Sequence, residues 1–341
     1  MKLAMPRNAV FLFVFALASS FGIGSGEAWG QVTVFSDDFN RAALSPGGTP
    51  LMTYSSSLGT GVSISMNSSS YLSIISGTTS AISYISGPVS SFNSSYNSTL
   101  SSNIGTITWT FNFRWNRASS NNPASPASGA YGQAIILASS SSNLSTGSTG
   151  YAIVYGNAST PDPIRLVRYS GGITAGTLTN ICSSGGSDIA NTNNYASVRV
   201  TYDPATNTWA LYVRDDGASA WADPSSGVVS QKGSNTVDNT YTSTSLTHFG
   251  FLFTNSTTSG QSGDFDNFKV TVTPSPALTA SPTSLSGLNY VFGFGPSASQ
   301  SYKLNGANLV PSSGNITITG SANYEVSADN ITFGATALIP Y

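Results

Sequence analysis

The feature that most constrains the fold is the segment 106–117, which reads TITWTFNFRWNR. Its odd-numbered positions from 107 to 115 are all apolar or aromatic: Ile107, Trp109, Phe111, Phe113 and Trp115. Its even-numbered positions are polar: Thr106, Thr108, Thr110, Asn112, Arg114 and Asn116. Strict alternation with a period of two is typical of an antiparallel strand that is buried on one face. We therefore expect Trp109 and Trp115 in a core and the polar side chains on an opposite surface.

The rest of the chain up to residue 273 also predicts strands. The segment 197–214 alternates on both sides of a turn at 203–207 and predicts a β-hairpin. Further strands are predicted at 62–66, 71–75, 133–138, 151–155, 164–169, 249–254 and 265–273. About ten strands without an apolar stripe of helical period predict an all-β fold, a single antiparallel sandwich of two sheets.

The N-terminal residues 1–30 are predicted to be a secretory signal peptide. Lys2 and Arg7 precede an apolar run at 9–18, which is too short to span a bilayer, and Ala28 and Gly30 are small residues suited to cleavage before Gln31. The alternative is a retained N-terminal anchor. We expect a secreted, extracellular or cell-surface protein with no transmembrane segment in the mature chain.

Charge and cysteine content exclude several classes of protein. Only 8% of the residues are charged and the net charge is −2, so no basic patch indicates a nucleic-acid partner. The single cysteine, Cys182, excludes an intrachain disulfide and is predicted to be a small buried residue near a loop.

A second domain is predicted after the Pro-Ser-Pro linker at 274–276. Short strands are predicted at 301–304, 315–319 and 324–327, and the segment 293–309 (GFGPSASQSYKLNGANL) resembles immunoglobulin-like repeats of large secreted bacterial proteins. Such sandwiches take about 100 residues, so 277–341 is expected to be a small, partial immunoglobulin-like module. The apolar run Ala-Leu-Ile-Pro-Tyr at the end is typical of a strand interior and predicts that the protein continues.

Four segments carry a resemblance to a known fold family. The segment 35–40 (FSDDFN) opens the first domain and 265–270 (FDNFKV) closes it. Both resemble the terminal strands of concanavalin A-like jelly rolls, which are shared by legume-type lectins, laminin-G-like modules and endo-glucanases. The segments 150–156 (GYAIVYG) and 164–169 (IRLVRY) resemble central strands of laminin-G-like domains in bacterial surface proteins. The resemblance implies a jelly-roll sandwich over residues 31–273.

The glucanases of this fold use a Glu-x-Asp-x-x-Glu pair, and that pair is missing here. The glutamates of the chain are Glu27 and Glu325, outside the first domain. The adjacent Asp215 and Asp216 would point to opposite faces of a strand and are predicted to lie in a solvated turn before Gly217. The lone His248 is predicted to be exposed or capped. We therefore predict that the protein is not an enzyme.

The resemblance also implies one metal site. The first and last strands of such jelly rolls are neighbours, and an aspartate of the last strand helps to bind calcium. Asp266 matches that position, and Asp37 and Asp38 lie in the opening strand. We expect that no cofactor is required and that a structural calcium ion is the one ion the resemblance implies. The alternative is that Asp266 accepts a hydrogen bond from a neighbouring backbone N–H.

Candidate ligand contacts are Asn112 and Arg114 on the polar side of 106–117, together with Tyr151 and Tyr155. The two tyrosines share one face of their strand, which either lies in the core or forms a concave binding surface. The predicted function is a non-catalytic extracellular binding or adhesion module whose partner is a polysaccharide or glycoconjugate. The alternatives are a structural spacer of a large surface protein and an accessory region of a secreted hydrolase.

Overall fold

The structure, a computed structural model, describes residues 30–341 except 68–70, 118–122, 124, 129–131, 157–160, 192, 256, 292–293, 310 and 312. The predicted signal peptide therefore lies outside the described residues. The described chain forms two compact units, a sandwich unit at Gln31–Thr273 and a C-terminal unit at Pro274–Tyr341. The division between them coincides with the start of the Pro-Ser-Pro segment.

The described part of the sandwich unit contains 16 strands and three short 3₁₀ helices, at Val89–Ser91, Leu100–Ser102 and Pro126–Ser128. The strands are β1 (Val32–Asp37), β2 (Ser55–Ser57), β3 (Ser63–Asn67), β4 (Tyr71–Ile75), β5 (Ala81–Pro88), β6 (Gly105–Asn116), β7 (Gly132–Ser139), β8 (Thr149–Tyr155), β9 (Ile164–Ser170), β10 (Thr177–Ser183), β11 (Tyr195–Asp203), β12 (Thr208–Gly217), β13 (Ser230–Gln231), β14 (Thr236–Val237), β15 (His248–Asn255) and β16 (Ser262–Pro274). No helix in the described residues has the length and apolar character needed to cross a membrane.

These strands form two large sheets. The nine-stranded sheet has the order β13-β12-β11-β6-β16-β4-β3, with β1 also paired to β16 and β14 to β12. The seven-stranded sheet has the order β10-β9-β8-β7-β15-β5-β2. The first strand pairs antiparallel with the last, from Val32↔Val272 to Asp37↔Phe268. The structure confirms the predicted all-β, antiparallel two-sheet jelly-roll sandwich.

The main core lies between the two sheets and is rich in aromatic side chains. Trp109 of β6 is fully buried and stacks on Trp209 of β12, with ring centroids 5.9 Å apart. Trp115 is also fully buried and contacts Phe253 of β15. The alternation in β6 therefore predicted correctly which side of this strand faces the core. Cys182 of β10 is buried there as a free thiol.

A second apolar cluster covers the outward side of the seven-stranded sheet. Its sheet residues alternate with those of the main core, and they are Ala134, Ile136, Ala152, Val154, Val167, Tyr169 and Leu252. Two loop residues, Leu144 and Ile173, complete it and are fully buried. The two loops are joined by backbone hydrogen bonds, including Ile173 N–H to Leu144 C=O at 3.0 Å. Gly172 permits this approach because its φ is +93° and a Cβ would lie 2.1 Å from the Ser145 carbonyl oxygen.

The strand predictions were accurate where apolar alternation is strong and failed where strands are polar. The strand at 71–75 matches β4 in both bounds. The prediction of about ten strands was too low, because β5, β10 and the short strands β2, β13 and β14 were missed. In β10 polar Thr, Asn and Ser residues obscure the alternation, and β5 ends in Ser-Gly-Pro. Both strands are held by pairing with apolar neighbours, β5 with β15 and β10 with β9.

The C-terminal unit consists of three two-stranded ladders in its described residues. Their strands are β17 (Ala277–Ser281), β18 (Tyr290–Val291), β19 (Gly295–Pro296), β20 (Lys303–Ala307), β21 (Asn315–Thr319) and β22 (Thr336–Pro340). The pairs are β17 with β20, β18 with β19 and β21 with β22. The strand predicted at 324–327 is wrong, since only Val326 forms an isolated bridge, to Gly334. The immunoglobulin-like assignment stays a prediction.

Candidate binding face on the nine-stranded sheet

The outward side of the nine-stranded sheet, called here the outer face, is polar. It carries the polar positions of β6 that the sequence predicted to face away from the core. Of these, Arg114 and Asn116 are partly exposed, whereas Thr110 and Asn112 are buried. The burial has a local cause, because the loop 218–229 after β12 folds back over this face. We call this segment the covering loop.

Asn112 holds the covering loop on the sheet. Its amide Nδ2 donates to the Ser197 hydroxyl at 2.9 Å and to the Ala222 carbonyl at 3.0 Å. Its Oδ1 accepts a hydrogen bond from Asn267 Nδ2 at 2.8 Å. Because Asn112 is fully buried and its amide is satisfied, the structure makes it an anchor of the loop and leaves no surface for ligand contact.

An ion pair adds a second anchor. Arg214 Nε donates to Asp216 Oδ1 at 2.6 Å, and Arg214 Nη2 donates to the Asp223 carbonyl of the covering loop at 3.1 Å. Asp216 Oδ2 accepts the Ala222 N–H at 3.1 Å. The prediction that Asp215 and Asp216 lie in a solvated turn is therefore wrong, since both belong to β12 and bind protein groups. Their hydrogen bonds to the chain compensate for their partial burial.

Three aromatic rings meet beside Arg114. Trp221 of the covering loop lies edge-on to Tyr71 of β4 and to Tyr195 of β11, with centroids 4.8 and 5.0 Å apart. Its indole Nε1 donates to the Phe113 carbonyl at 3.3 Å. The Arg114 guanidinium lies 4.7 Å from the Tyr195 ring centroid and donates to the Tyr195 hydroxyl at 3.3 Å. All four side chains are partly exposed, and we call them the aromatic cluster.

A buried carboxyl group lies next to this cluster. Asp264 of β16 is fully buried and accepts a hydrogen bond from the Ser73 hydroxyl at 2.7 Å. Its other oxygen has no hydrogen-bond partner among the described residues. Burial raises the pKa of Asp264, and burial together with the charge of Asp264 raises the pKa of Tyr71. The cluster therefore combines rings, one guanidinium and a nearby carboxyl group.

A polar cleft of about 390 Å³ opens on the other side of the covering loop. The segment 36–51, the covering loop and β16 contribute its walls. Its polar lining includes Asp38, Asn40, Thr110, Asp223, Asn267 and Lys269. Two of the predicted metal ligands, Asp37 and Asp38, line this cleft. The third, Asp266, precedes the lining residue Asn267 in β16.

The predicted metal ligands differ in whether their carboxylate oxygens already have hydrogen-bond partners. Asp37 is bound by Arg41 at 2.5 and 3.0 Å, by the Tyr54 hydroxyl at 2.7 Å and by the Phe39 N–H at 2.8 Å, so both of its oxygens are occupied. Asp266 has one buried oxygen without a hydrogen-bond partner among the described residues. Burial, opposed by a backbone hydrogen bond from Asn267 and reinforced by the charges of Asp38 and Asp37, raises the pKa of Asp266 to about 7.

The donor set fits a cation only in part. The described residues contain no group of three or more His, Cys, Asp or Glu side chains arranged to hold a metal ion. Asp37 offers no free oxygen, whereas Asp266 has one, and the charge of Asp38 is close enough to raise the pKa of Asp266. These two carboxylates are the ones that a calcium ion would use.

Tyr151 and Tyr155 lie in the core, the alternative that the sequence left open. Both are at most 2% exposed and face the nine-stranded sheet. The Tyr151 hydroxyl donates to Asp238 at 3.0 Å and accepts the Tyr241 N–H at 3.0 Å. Tyr155 packs on Phe113, with centroids 5.4 Å apart. Neither ring is placed to touch a ligand on the surface.

Sequence reasoning missed the three rings of the aromatic cluster. Tyr71 and Tyr195 each begin a strand, and Trp221 lies in the polar segment ASAWADPSSG. The available signal was the single tryptophan among loop-forming residues, because no strand periodicity explains a large apolar side chain at that position.

No protein-family model matches the sequence, and comparison with curated proteins finds no significant match. Solved structures with a similar arrangement of strands include legume lectin-like domains. Lectin II from Ulex europaeus is 14% identical, with a TM-score of 0.44 over 70% of this chain and 99% of its own. The VIP36 exoplasmic/lumenal domain, in a form bound to Ca²⁺ and Man3GlcNAc, is 12% identical, with a TM-score of 0.41 over 65% of this chain and 84% of its own.

A carbohydrate esterase from the Shiga toxin-encoding bacteriophage phi24B is similar to the same extent. It is 11% identical, with a TM-score of 0.41 over 71% of this chain and 99% of its own. At these TM-scores the likenesses carry no argument about function, which has to come from the chain's own residues.

Proposed function

We propose that the sandwich unit is a non-catalytic, extracellular glycan-binding module and that its outer face holds the ligand. The observation that carries the proposal is the aromatic cluster, in which Trp221, Tyr71 and Tyr195 meet beside Arg114 on an otherwise polar surface. Half-exposed rings of this kind are apolar bodies with polar edges, and they suit a ligand with both C–H faces and hydroxyl groups.

The arrangement favours binding over catalysis. Arg114 donates hydrogen bonds, and Tyr71 and Tyr195 bring hydroxyl groups that both donate and accept. Glycoside hydrolysis by the common routes needs two carboxyl groups on either side of the scissile bond. The exposed part of the cluster presents none, because Asp264 is fully buried. The absence of glutamate from 31–273 agrees with this assignment.

The test is a glycan array followed by calorimetric titration of the full chain with each glycan that binds. We expect Trp221→Ala to weaken binding at least tenfold, about 1.4 kcal/mol, because the ring at the centre of the cluster is lost. Trp221→Phe keeps a ring and should retain part of the affinity. Phe294→Ala removes an exposed aromatic side chain of the C-terminal unit and should change nothing.

Thermal melts separate loss of binding from loss of folding in these variants. A glycan that binds wild type and folded Trp221→Ala equally well would contradict the proposed site. Failure of the folded protein to bind any glycan would favour the alternative of a structural spacer in a surface protein.

We also propose a structural calcium ion between Asp38 and Asp266. The supporting observation is the buried Asp266 oxygen without a partner among the described residues. Calcium prefers hard oxygen ligands such as these carboxylates and the carbonyls around them. A cation here would join the first and last strands of the sandwich and would favour the ionised form of Asp266.

A further inference from the structure

A row of side chains crosses the outer face from β12 to β1. Arg199 of β11 pairs with Tyr212 of β12 on one side and with Thr110 of β6 on the other. β16 is the neighbour of β6, and a hydrogen bond joins Asn267 to Asn112. Because the two strands are antiparallel, Lys269, two residues after Asn267, lies opposite Thr110, two residues before Asn112. Lys269 in turn pairs with Ser36 of β1. The row therefore reads Tyr212, Arg199, Thr110, Lys269 and Ser36.

The last three members of this row line the polar cleft. Thr110 has a short side chain and lies between two cationic neighbours. Strands in a sheet are about 4.8 Å apart, so Arg199 and Lys269 lie roughly 10 Å from each other across Thr110. An anionic group placed over Thr110 would be within reach of both long side chains.

Arg199 is distinguished by the partners that it lacks. Its guanidinium lies 4.3 Å from the Tyr212 ring centroid, and it makes no hydrogen bond or ion pair with another described residue. Other cations of the sandwich unit do have acidic partners: Arg41 with Asp37, Arg168 with Asp238, Arg214 with Asp216, and Lys232 with Asp188. Stacking on Tyr212 orients the guanidinium plane and leaves its donors unused.

The acidic groups of the cleft do not neutralise Arg199. Asp37 is paired with Arg41. Asp223 acts on Lys269 and Arg214 and not on Arg199: burial raises its pKa, but hydrogen bonds from Ser225 and the charges of Lys269 and Arg214 outweigh burial and lower it. Asp38 follows β1, three strands away, which corresponds to roughly 15 Å at the usual strand spacing. This exceeds the Debye length at physiological ionic strength, about 8 Å.

We propose that Arg199, with Thr110 and Lys269, forms a subsite for an anionic group of an acidic glycan, either a uronate carboxylate or a sulfate ester. The inference rests on the proposed glycan-binding function for the rest of the ligand. The planar guanidinium offers paired donors that match two oxygens of either group, and the Thr110 hydroxyl offers a third donor. Lys269, whose charge also acts on Asp223, adds to the positive potential over Thr110. A neutral glycan would leave these donors unused.

The experiment follows the arginine Nε–Hε signals of the full chain by NMR. The probes are trigalacturonic acid, its methyl ester, a sulfated trisaccharide and inorganic sulfate, all at one ionic strength set with sodium chloride. The Arg199 signal is identified as the one missing from Arg199→Gln. We expect it to shift and saturate with at least one acidic trisaccharide and to stay unchanged with the methyl ester, and Arg199→Gln should weaken that binding about tenfold. Lys303→Gln removes one charge from the C-terminal unit and should bind as wild type does.

The outcomes separate this inference from the proposed function. Trp221-dependent binding of glycans with no saturable Arg199 response to any acidic probe would overturn the inference and leave the function standing. An Arg199 response to inorganic sulfate as strong as that to the trisaccharides would show an adventitious ion only and would also overturn it. Acidic-glycan binding that Arg199→Gln weakens and Trp221→Ala leaves unchanged would support the subsite and contradict the proposed aromatic site. Saturation with one acidic trisaccharide but not the other identifies the anionic group.

Discussion

The two sheets of the sandwich unit turn very different outer faces away from the core. On the seven-stranded sheet the outward residues are apolar and are sealed by Leu144 and Ile173 from two loops. On the nine-stranded sheet the outward residues are polar, and the covering loop leaves Trp221 and three other side chains partly exposed, with a cleft beside them. One face is closed by packing, and the other offers groups for a ligand.

Both faces are covered by loops rich in small polar residues, but the loops are held by different forces. The loops at 140–148 and 171–176 insert two aliphatic side chains into a satellite core, which removes apolar area from water. The covering loop is held by hydrogen bonds from Asn112, Ser197 and Arg214 to its backbone. The first arrangement should contribute mainly to stability, and the second mainly to the position of Trp221.

The largest effect on the free energy of unfolding is expected from Leu144, which covers the outward side of the seven-stranded sheet. Leu144→Ala should lower the free energy of unfolding by about 2–5 kcal/mol, because it removes a fully buried side chain and leaves a cavity. Chemical denaturation measures this change, and glycan affinity of the folded variant should be unchanged. Leu51→Ala, at a position 71% exposed, is the control and should cost little. A loss below about 1 kcal/mol for Leu144→Ala would mean that the satellite core does not stabilise the sheet.

Asp266 should make the stability of the sandwich unit depend on pH. Its pKa is raised in the folded protein to about 7 from a usual value of 3.8, so the folded state binds the proton more tightly than the unfolded state. The contribution of Asp266 to stability should therefore be full below pH 4, fall as the pH rises towards 7 and then level off, with a total change of at most about 4 kcal/mol. Asp266→Asn should lose this slope, as melting curves from pH 4 to 8 would show.

The calcium dependence of the melting temperature gives a second test of Asp266. At pH 8 added calcium should raise the melting temperature of wild type by a few degrees and have no effect on Asp266→Asn. Identical wild-type curves in calcium and in EDTA would contradict the proposed cation. A shift that survives in Asp266→Asn would place the ion elsewhere.

A smaller effect is expected at the anchor of the covering loop. Asn112→Ala should lower the free energy of unfolding by about 1–3 kcal/mol, because it leaves buried partners without their hydrogen bonds. It should also weaken glycan binding, although Asn112 is fully buried, since Trp221 would lose its fixed position. Asn116→Ala removes the same group from the same strand, where among the described residues it donates to the Ser262 hydroxyl, and should leave glycan affinity unchanged. Equal effects of the two variants on glycan affinity would contradict the anchoring role.

The smallest effect on folding is expected at Arg199. Arg199→Gln should change the free energy of unfolding by less than about 1 kcal/mol, because the contact of this side chain with the described residues is a cation–π contact at a partly exposed site. Arg214→Gln should cost more, since Arg214 is hydrogen-bonded to Asp216 and to the covering loop. Urea titrations of the two variants give the comparison. A large loss at Arg199 would indicate a structural role and weaken the case for a binding residue.

Predictability from sequence followed the contrast between the two sheets. β6 lies in a sheet with one apolar and one polar side, so its alternation correctly assigned Trp109 and Trp115 to the core and Arg114 to the surface. β8 is apolar on both sides, because the satellite core buries its second face. The pattern of Tyr151 and Tyr155 therefore could not indicate which side faces the partner sheet.

The sequence by itself determined the all-β class, the main antiparallel strands and the facing of β6, because these follow from local periodicity and turn chemistry. The tertiary structure alone decided that Trp221 from a loop meets Tyr71 and Tyr195, which lie 150 and 26 positions earlier in the chain. It also decided that Asn112 is buried and Arg199 is left without an acidic partner among the described residues. The physical reason is that strand order and loop path bring distant residues together, and local periodicity contains no information about either.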